Sequence, residues 1–276
     1  MNLSSTKRLQ NGVEMPRLGL GVFKAEPGPE TRDAVVTALQ AGYRSIDTAT
    51  FYENEQSVGE GLAAAGVPRD EIFVTTKVWN SDQGYQRTLE VFETSMKYLG
   101  LETLDLYLIH WPMADTFIET WRALEKVYHD GRVRAIGVSN FEPHHLETLK
   151  RESDIVPAVN QVELHPYLQQ TELRRYCQEA GIAVEAWSPI ARGTVVHDPV
   201  LSDIAAAHGK SPVQVTLRWE LQHDIITIPK SVTPHRIVDN ADVFDFELTP
   251  AEMERIDALD QGEAGRLGPH PHTIAG

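Results

Sequence analysis

Leu104-Asp105-Leu106-Tyr107-Leu108-Ile109-His110 is an apolar run, interrupted only by Asp105 and closed by a histidine. It shows no apolar/polar alternation, which is how a parallel strand covered on both faces reads. On its N-terminal side Leu89, Phe92, Met96 and Leu99 recur at three- and four-residue spacing, and on its C-terminal side so do Trp121, Leu124 and Val127. Both are helical stripes, so the local order is helix, strand, helix. Similar strand-like runs are Leu18 to Val22, Tyr43 to Asp47, Ile72 to Lys77, Val133 to Val138, Ala158 to Val162, Ile182 to Trp187 and Ile225 to Ile228. With the opening stretch they make eight strand–helix units running in one direction, the pattern of an α/β closed (β/α)₈ barrel.

Asn11-Gly12, between two short extended segments ahead of the first unit, predicts a β-hairpin with a two-residue turn. Ser211-Pro212 and Thr249-Pro250 followed by Glu252 each place a cap and a proline at a helix start, predicting two additional helices around the last strand. No Pro/Gly/Ser-rich linker divides the 276 residues, so one domain over 1–276 is expected, with 262–276 an irregular tail.

Asp and Glu number 40 against 25 Lys and Arg, a net charge of −15. That field repels nucleic acid and anionic membranes, so neither is an expected partner, and any anion site needs a local basic cluster. The single cysteine, Cys177, lies in a helical apolar pattern and is read as packing. With no internal disulfide, no stretch of about 20 apolar residues and no signal-like start, a cytoplasmic protein is expected.

In a barrel of this kind the loops after the strands carry the chemistry, so the strand ends are the residues to inspect. They read Asp47, Lys77, His110, Ser139-Asn140, Gln161, Trp187-Ser188 and Lys230-Ser231, with Tyr52 just beyond Asp47. A phenol is a poor acid at neutral pH. A cation about 4 Å away, at an effective dielectric near 20, is worth about 4 kcal/mol. Lys77 is therefore expected to lower the Tyr52 pKa by up to about three pH units, with Asp47 holding the ammonium and cancelling part of the effect. His110 can hydrogen-bond a substrate oxygen at the same centre. The set suits protonation of a carbonyl oxygen as it becomes an alkoxide. An Asp47–Lys77 structural ion pair, a loop-capping Tyr52 and a core His110 are the bland alternatives.

A carbonyl protonated on oxygen needs a hydride on carbon, which no side chain supplies, so a nicotinamide cofactor is implied. Gly59-Glu60-Gly61-Leu62-Ala63-Ala64 matches a dinucleotide fingerprint but falls inside a helical pattern rather than in a strand-to-helix turn, and is set aside. The better candidate is Ile228 to Arg236. There Thr233-Pro234 begins a helix, so Lys230, Ser231 and Arg236 can meet a phosphate at its N-terminus. Two cations favour the 2′-phosphate of NADP. Trp187 offers a stacking face, and Ser139, Asn140 and Gln161 offer donors and acceptors for a carboxamide. Phe23, Trp79 and Trp111 are expected to wall the substrate pocket, and His110 is expected to bind the substrate with them. The tail histidines of Pro269-His270-Pro271-His272 have no evident third ligand, so no metal is expected there, and a flap over the pocket is the favoured reading.

Along most of its length the chain resembles the aldo-keto reductases. The resemblance rests on Gly42-Tyr43-Arg44-Ser45-Ile46-Asp47-Thr48-Ala49, Tyr52-Glu53-Asn54-Glu55, Leu104 to Pro112, Ile136-Gly137-Val138-Ser139-Asn140-Phe141, Pro157 to Glu163, and Ile228 to Arg236. Pro229-Lys230-Ser231 and Val243-Phe244-Asp245-Phe246-Glu247-Leu248 resemble the short prokaryotic type that includes 2,5-diketo-D-gluconate reductases. The resemblance implies a tetrad of Asp47, Tyr52, Lys77 and His110 with Tyr52 as general acid, and a carboxamide held by Ser139, Asn140 and Gln161. It also implies Trp187, beside Ser188, against the nicotinamide, a 2′-phosphate on Lys230, Ser231 and Arg236, and an adenine side at Asp239 and Asn240. Trp187 replaces the tyrosine of many members, and the loop after His110 is short, which implies an open pocket. The expected protein is a monomeric NADPH-dependent oxidoreductase reducing small dicarbonyls, keto-sugar acids or similar carbonyls. The alternatives are a cofactor-sensing regulatory subunit with little turnover and Schiff-base chemistry at Lys77, which a neighbouring Asp47 opposes by keeping the amine charged.

Overall fold

The computed structural model describes residues 1–274. Strands β1 (Thr6–Arg8) and β2 (Glu14–Pro16) pair antiparallel in the register Lys7 opposite Met15. The turn between them differs from expectation. Leu9 N–H donates to Val13 O at 2.8 Å and Gly12 N–H to Leu9 O at 2.9 Å, so the loop is the three residues Gln10 to Gly12. Gly12 sits at φ 87°, the left-handed position that ends this longer loop, so the Asn-Gly pair fills its last two places rather than making the whole turn.

The eight barrel strands are β3 (Leu20–Gly21), β4 (Ser45–Asp47), β5 (Phe73–Val78), β6 (Leu104–Ile109), β7 (Val133–Ser139), β8 (Val159–Glu163), β9 (Ala183–Trp187) and β10 (Ile226–Thr227). All are parallel and paired in chain order, and parallel bridges Leu18–Thr227 and Gly21–Lys230 join the first to the last. Helices α1 (Pro29–Gln40), α2 (Glu55–Ala64), α3 (Tyr85–Leu99), α4 (Phe117–His129), α5 (Pro143–Glu152) and α6 (Thr171–Glu179) follow β3 to β8 in turn. Next come α7 (Pro199–His208) and α8 (Pro212–Gln222) after β9, and α9 (Pro234–Ala241) and α10 (Pro250–Asp257) after β10. Both expected additional starts are reciprocal caps, Ser211 with Gln214 and Thr249 with Glu252.

Alternation along each strand separates two cores. Val74, Val78, Tyr107 and Ile109 point outward into the layer shared with the helices. Phe73, Leu106, Leu108, Val159, Ala183 and Ile226 fill the barrel, where Leu9 and Met15 of the hairpin close its floor. The set-aside glycine motif lies on α2. A Cβ on Gly59 would stand 2.4 Å from Tyr98 O, and one on Gly61 would stand 2.9 Å from Arg32 O. These glycines let α2 pack close to α1 and α3, a steric need unrelated to phosphate. The tail holds a short 3₁₀ turn, Gly262–Gly265, and is otherwise irregular; residues 275–276 lie outside the described residues.

Candidate active site

The four expected proton-transfer residues meet at the C-terminal rim. Lys77 ends the inward series Phe73, Thr75, Lys77 and is fully buried. Its Nζ donates to Asp47 Oδ1 at 2.6 Å, to Thr48 O at 2.9 Å and towards the Tyr52 hydroxyl at 3.3 Å. Tyr52 is carried by a 3₁₀ turn, Thr50–Tyr52, after β4. Two clamps fix that turn: Thr50 Oγ1 donates to Lys77 O at 3.0 Å, and Asn54 Nδ2 donates to Val22 O at 3.0 Å and Ala25 O at 3.2 Å. His110 stands edge-on to Tyr52, ring centroids 5.8 Å apart.

The charges behave differently from the sequence reading at one point. Burial raises the Tyr52 pKa, and the opposing pull of Lys77, weakened by Asp47, does not overcome it. The expected net lowering is therefore wrong. Tyr52 is half-buried, and desolvation of the phenolate outweighs one half-neutralised cation. Burial works against the Lys77 ammonium, yet Asp47 and Tyr52 raise its pKa, so it stays charged and is a poor Schiff-base amine. Burial and then Lys77 hold His110 well below its usual range, leaving a neutral ring. Its Nδ1 is buried without a partner, so Nε2 is the nitrogen that can address a ligand in the rim.

Asn140, at φ 63° just past β7, donates from Nδ2 to His110 O at 3.0 Å and Ser139 Oγ at 3.0 Å. Its Oδ1 accepts from Trp187 Nε1 at 2.8 Å, which fixes the indole plane. Ser139 Oγ donates to Gln161 O at 2.7 Å. Gln161 Nε2 turns into the barrel, to Asp47 Oδ2 at 2.8 Å and Glu185 Oε2 at 2.6 Å, so its Oε1 is the atom left for a carboxamide. Ser188 is half-buried beside Trp187.

Lys230 and Arg236 are exposed, Ser231 is buried, and neither cation lies within 4.0 Å of a carboxylate among the described residues. Tyr43 OH donates to Ile237 O at 2.9 Å, which pins the first turn of α9 and with it Arg236. The cap residue Thr233 makes no side-chain bond to that turn. Two unpaired cations at an uncapped helix start, on a chain of net charge −15, fit a phosphate monoester. Asn240 is buried and Asp239 exposed on the same helix.

Of the pocket aromatics, Phe23 lies 5.0 Å from Tyr52 and Trp79 stands edge-on to His110 at 5.0 Å. Trp111 is only 6% exposed and presents little surface. Phe51, which sequence reasoning missed, stacks on Trp79 at 3.9 Å and is 47% exposed, the more open part of that wall. Its neighbour Tyr52 is the signal that could have found it.

The tail docks beside this rim. Glu163 at the end of β8 accepts from Leu267 N–H at 2.7 Å and Gly268 N–H at 2.8 Å, and Gly268 lies against the Trp187 ring. The expectation that the tail histidines lack a nearby third ligand needs correction. The start of α5 brings Glu142, His144 and His145 beside His272, whose Nε2 is 2.6 Å from Glu142 Oε2. In this cluster His145 Nδ1 accepts from Glu142 N–H and His270 Nδ1 from His272 N–H, at 3.1 and 3.2 Å. Those lone pairs serve the backbone, and the cluster ties the tail to α5.

Comparison with known proteins agrees with this geometry. Residues 17–261 match the model of the aldo/keto reductase family. The chain is 57% identical over 273 residues to a glyoxal reductase of Bacillus subtilis, covering 99% of this chain and 98% of that protein. It is 46% identical to the methylglyoxal reductase DkgA of Salmonella typhimurium, covering 98% of each. The crystal structure of a Gox0644 mutant in complex with NADPH superposes with a TM-score of 0.94, at 44% identity and 99% coverage of both chains. Barrel, rim and sequence thus agree, and the chain belongs to the aldo/keto reductase family.

Proposed function

We propose that the protein is an NADPH-dependent carbonyl reductase acting on small dicarbonyls, with keto-sugar acids as a second substrate class. The observation that carries the reading is the Tyr52 hydroxyl, 3.3 Å from an ammonium that Asp47 holds at 2.6 Å. NADPH, when bound, supplies the hydride that the carbonyl carbon receives. Gln161 Oε1, Asn140 and Ser139 would hold its carboxamide, with Trp187 and Ser188 alongside. Lys230, Ser231 and Arg236 would hold the 2′-phosphate, with Asp239 and Asn240 towards the adenine.

Neutral His110 donates an N–H to the substrate oxygen and orients it towards Tyr52. As negative charge grows on that oxygen, Tyr52 gives it the phenolic proton, and Lys77 stabilises the phenolate left behind. The raised pKa of Tyr52 keeps it protonated until that moment. Lys77 then acts chiefly after proton transfer begins, when it faces a full negative charge. Phe23, Phe51 and Trp79 form an open aromatic wall that suits a short planar dicarbonyl, and the names of the glyoxal and methylglyoxal reductases support the same class.

The protein would work as one barrel domain, monomeric and cytoplasmic; among the described residues no helix is long and apolar enough to cross a membrane. Reduction of glyoxal and methylglyoxal by wild type and Tyr52→Phe, followed by loss of NADPH absorbance, tests the reading. The variant should bind NADPH normally and lose turnover. Undiminished turnover in Tyr52→Phe refutes the role of Tyr52. Negligible wild-type turnover across a panel of aldehydes, with tight NADPH binding, would favour a cofactor-sensing subunit instead.

A further inference from the structure

Beneath the tetrad lies a buried carboxyl with no part in the steps above. Glu185 is the central residue of β9, on the inward side with Ala183 and Trp187, and is 0% exposed. Its Oε2 accepts from Gln161 Nε2 at 2.6 Å, and the same nitrogen donates to Asp47 Oδ2 at 2.8 Å. Its Oε1 is buried without a partner. Asp47 in turn holds Lys77 at 2.6 Å, so one line of polar contacts runs from Tyr52 through Lys77, Asp47 and Gln161 to Glu185, crossing β4, β5, β8 and β9.

The groups around Glu185 determine what it can do. Asp47 faces it from β4, Lys77 from β5, and Tyr52 from the turn after β4; His110, just past β6, and Glu163 of β8 stand in the rim above. Leu108 and Ile226 complete the interior with apolar surface. Lys77 is committed to Asp47, which leaves Glu185 without a cation of its own. A carboxylate there would be a second anion sharing one amide group with the first, in a volume closed to water. As a neutral acid it can accept from Gln161 without that repulsion.

We infer that Glu185 is a positioning residue, which in its protonated form fixes Gln161 and Asp47, and whose ionisation closes the alkaline side of turnover. The inference rests on the tetrad reading. Burial, then the charge of Asp47, pushes the Glu185 carboxyl up to about 8, which places its ionisation within the working pH range. Proton donation by Tyr52 leaves a phenolate and Asp47 facing a single ammonium. An ionised Glu185 adds a third negative charge to that group, so the step slows as pH rises through about 8. The reverse oxidation needs the same phenolate and should slow with it.

The test is the pH profile of kcat for methylglyoxal reduction by wild type, Glu185→Gln and Tyr52→Phe between about pH 6 and 10. Wild type should fall about tenfold per pH unit on the alkaline side, while Glu185→Gln, permanently neutral and nearly isosteric, should hold its rate about one unit further or more. An unchanged alkaline limb, or a uniform loss at every pH together with a lower melting point, overturns the inference and leaves Glu185 as packing. If Glu185→Gln does not fold, infrared difference spectra of wild type decide. Glu55 and Glu220 are also buried carboxyls held above the ordinary range, so the component that counts is the one that vanishes as pH passes about 8, and the lack of any such component refutes the assignment. Tyr52→Phe separates the two failures: an active variant removes the tetrad reading, whereas an inactive one with an unchanged Glu185→Gln profile removes only this inference.

Discussion

Replacing Lys77 by methionine removes the cation at the centre of the site, and its two effects can be separated. The ammonium is 3.3 Å from the Tyr52 oxygen. At an effective dielectric near 20, a full phenolate charge at that distance is stabilised by about 5 kcal/mol. Asp47, bonded to the same nitrogen at 2.6 Å, cancels part of this and leaves about 2 to 4 kcal/mol, or roughly thirty- to a thousand-fold in kcat. Lys77→Met also strands Asp47 as a buried carboxylate without its counter-charge, which costs about 3 to 5 kcal/mol of stability. A dead single variant could therefore be merely a badly folded one. The double variant Asp47→Asn/Lys77→Met removes both charges and should recover most of that stability, because neutral replacement of a buried ion pair is often close to neutral. Its turnover should remain as low as that of Lys77→Met. Urea unfolding followed by circular dichroism gives the first quantity, and NADPH oxidation with methylglyoxal gives the second. A double variant that regains both stability and turnover would make the pair a structural ion pair and refute the electrostatic argument.

Other consequences are separable from that one. Arg236→Ala should weaken NADPH by about ten- to a hundred-fold, the worth of a lost charge-assisted contact, and leave NADH nearly unchanged in a fluorescence titration. Gly59→Ala, whose new Cβ would stand 2.4 Å from Tyr98 O, should cost at least about 1 to 3 kcal/mol, read as a lower melting point with kcat intact. Glu163→Ala removes the acceptor for Leu267 and Gly268 N–H and should make residues 266–274 more susceptible to protease and NADPH release faster. Stability should carry a pH signature from Glu185. Its folded carboxyl keeps a proton that the unfolded chain releases, so its contribution is complete below about pH 4.5, the ordinary glutamate value, and is lost as pH rises through about 8. Glu185→Gln should flatten that part of the curve.

Much of this site can be read from strand ends, because the last inward residue of each parallel strand faces the rim whatever polar residues lie earlier in the run. Asp47, Lys77, His110, Gln161 and Trp187 are all found that way, and the structure brings them to one rim. The tail cannot be found so. Its anchor is Glu163 on Leu267, 104 positions away, and local sequence carries no signal of it. The turn after β1 depends on a hydrogen bond, Leu9 to Val13, that Asn11-Gly12 alone does not specify. The direction of the Tyr52 shift depends on how much water the rim excludes, a property of all its neighbours together.

Glu185 belongs to a different category, since the sequence contains it in usable form. Runs buried on both faces hide which residues point inward, but a rim residue fixes the parity, and two positions earlier in the same strand lies the layer below. From Lys77 the step reaches Thr75, from His110 Leu108, from Gln161 Val159, and from Trp187 Glu185. Of these four only Glu185 is ionisable, directly beneath the one place where an ammonium and a phenol must exchange charge. The rim identifies the groups that move a proton, while the layer below decides at which pH they can do so, because it adds or withholds a charge that water cannot screen. In barrels read from sequence, that second layer therefore bears on mechanism as directly as the strand ends do.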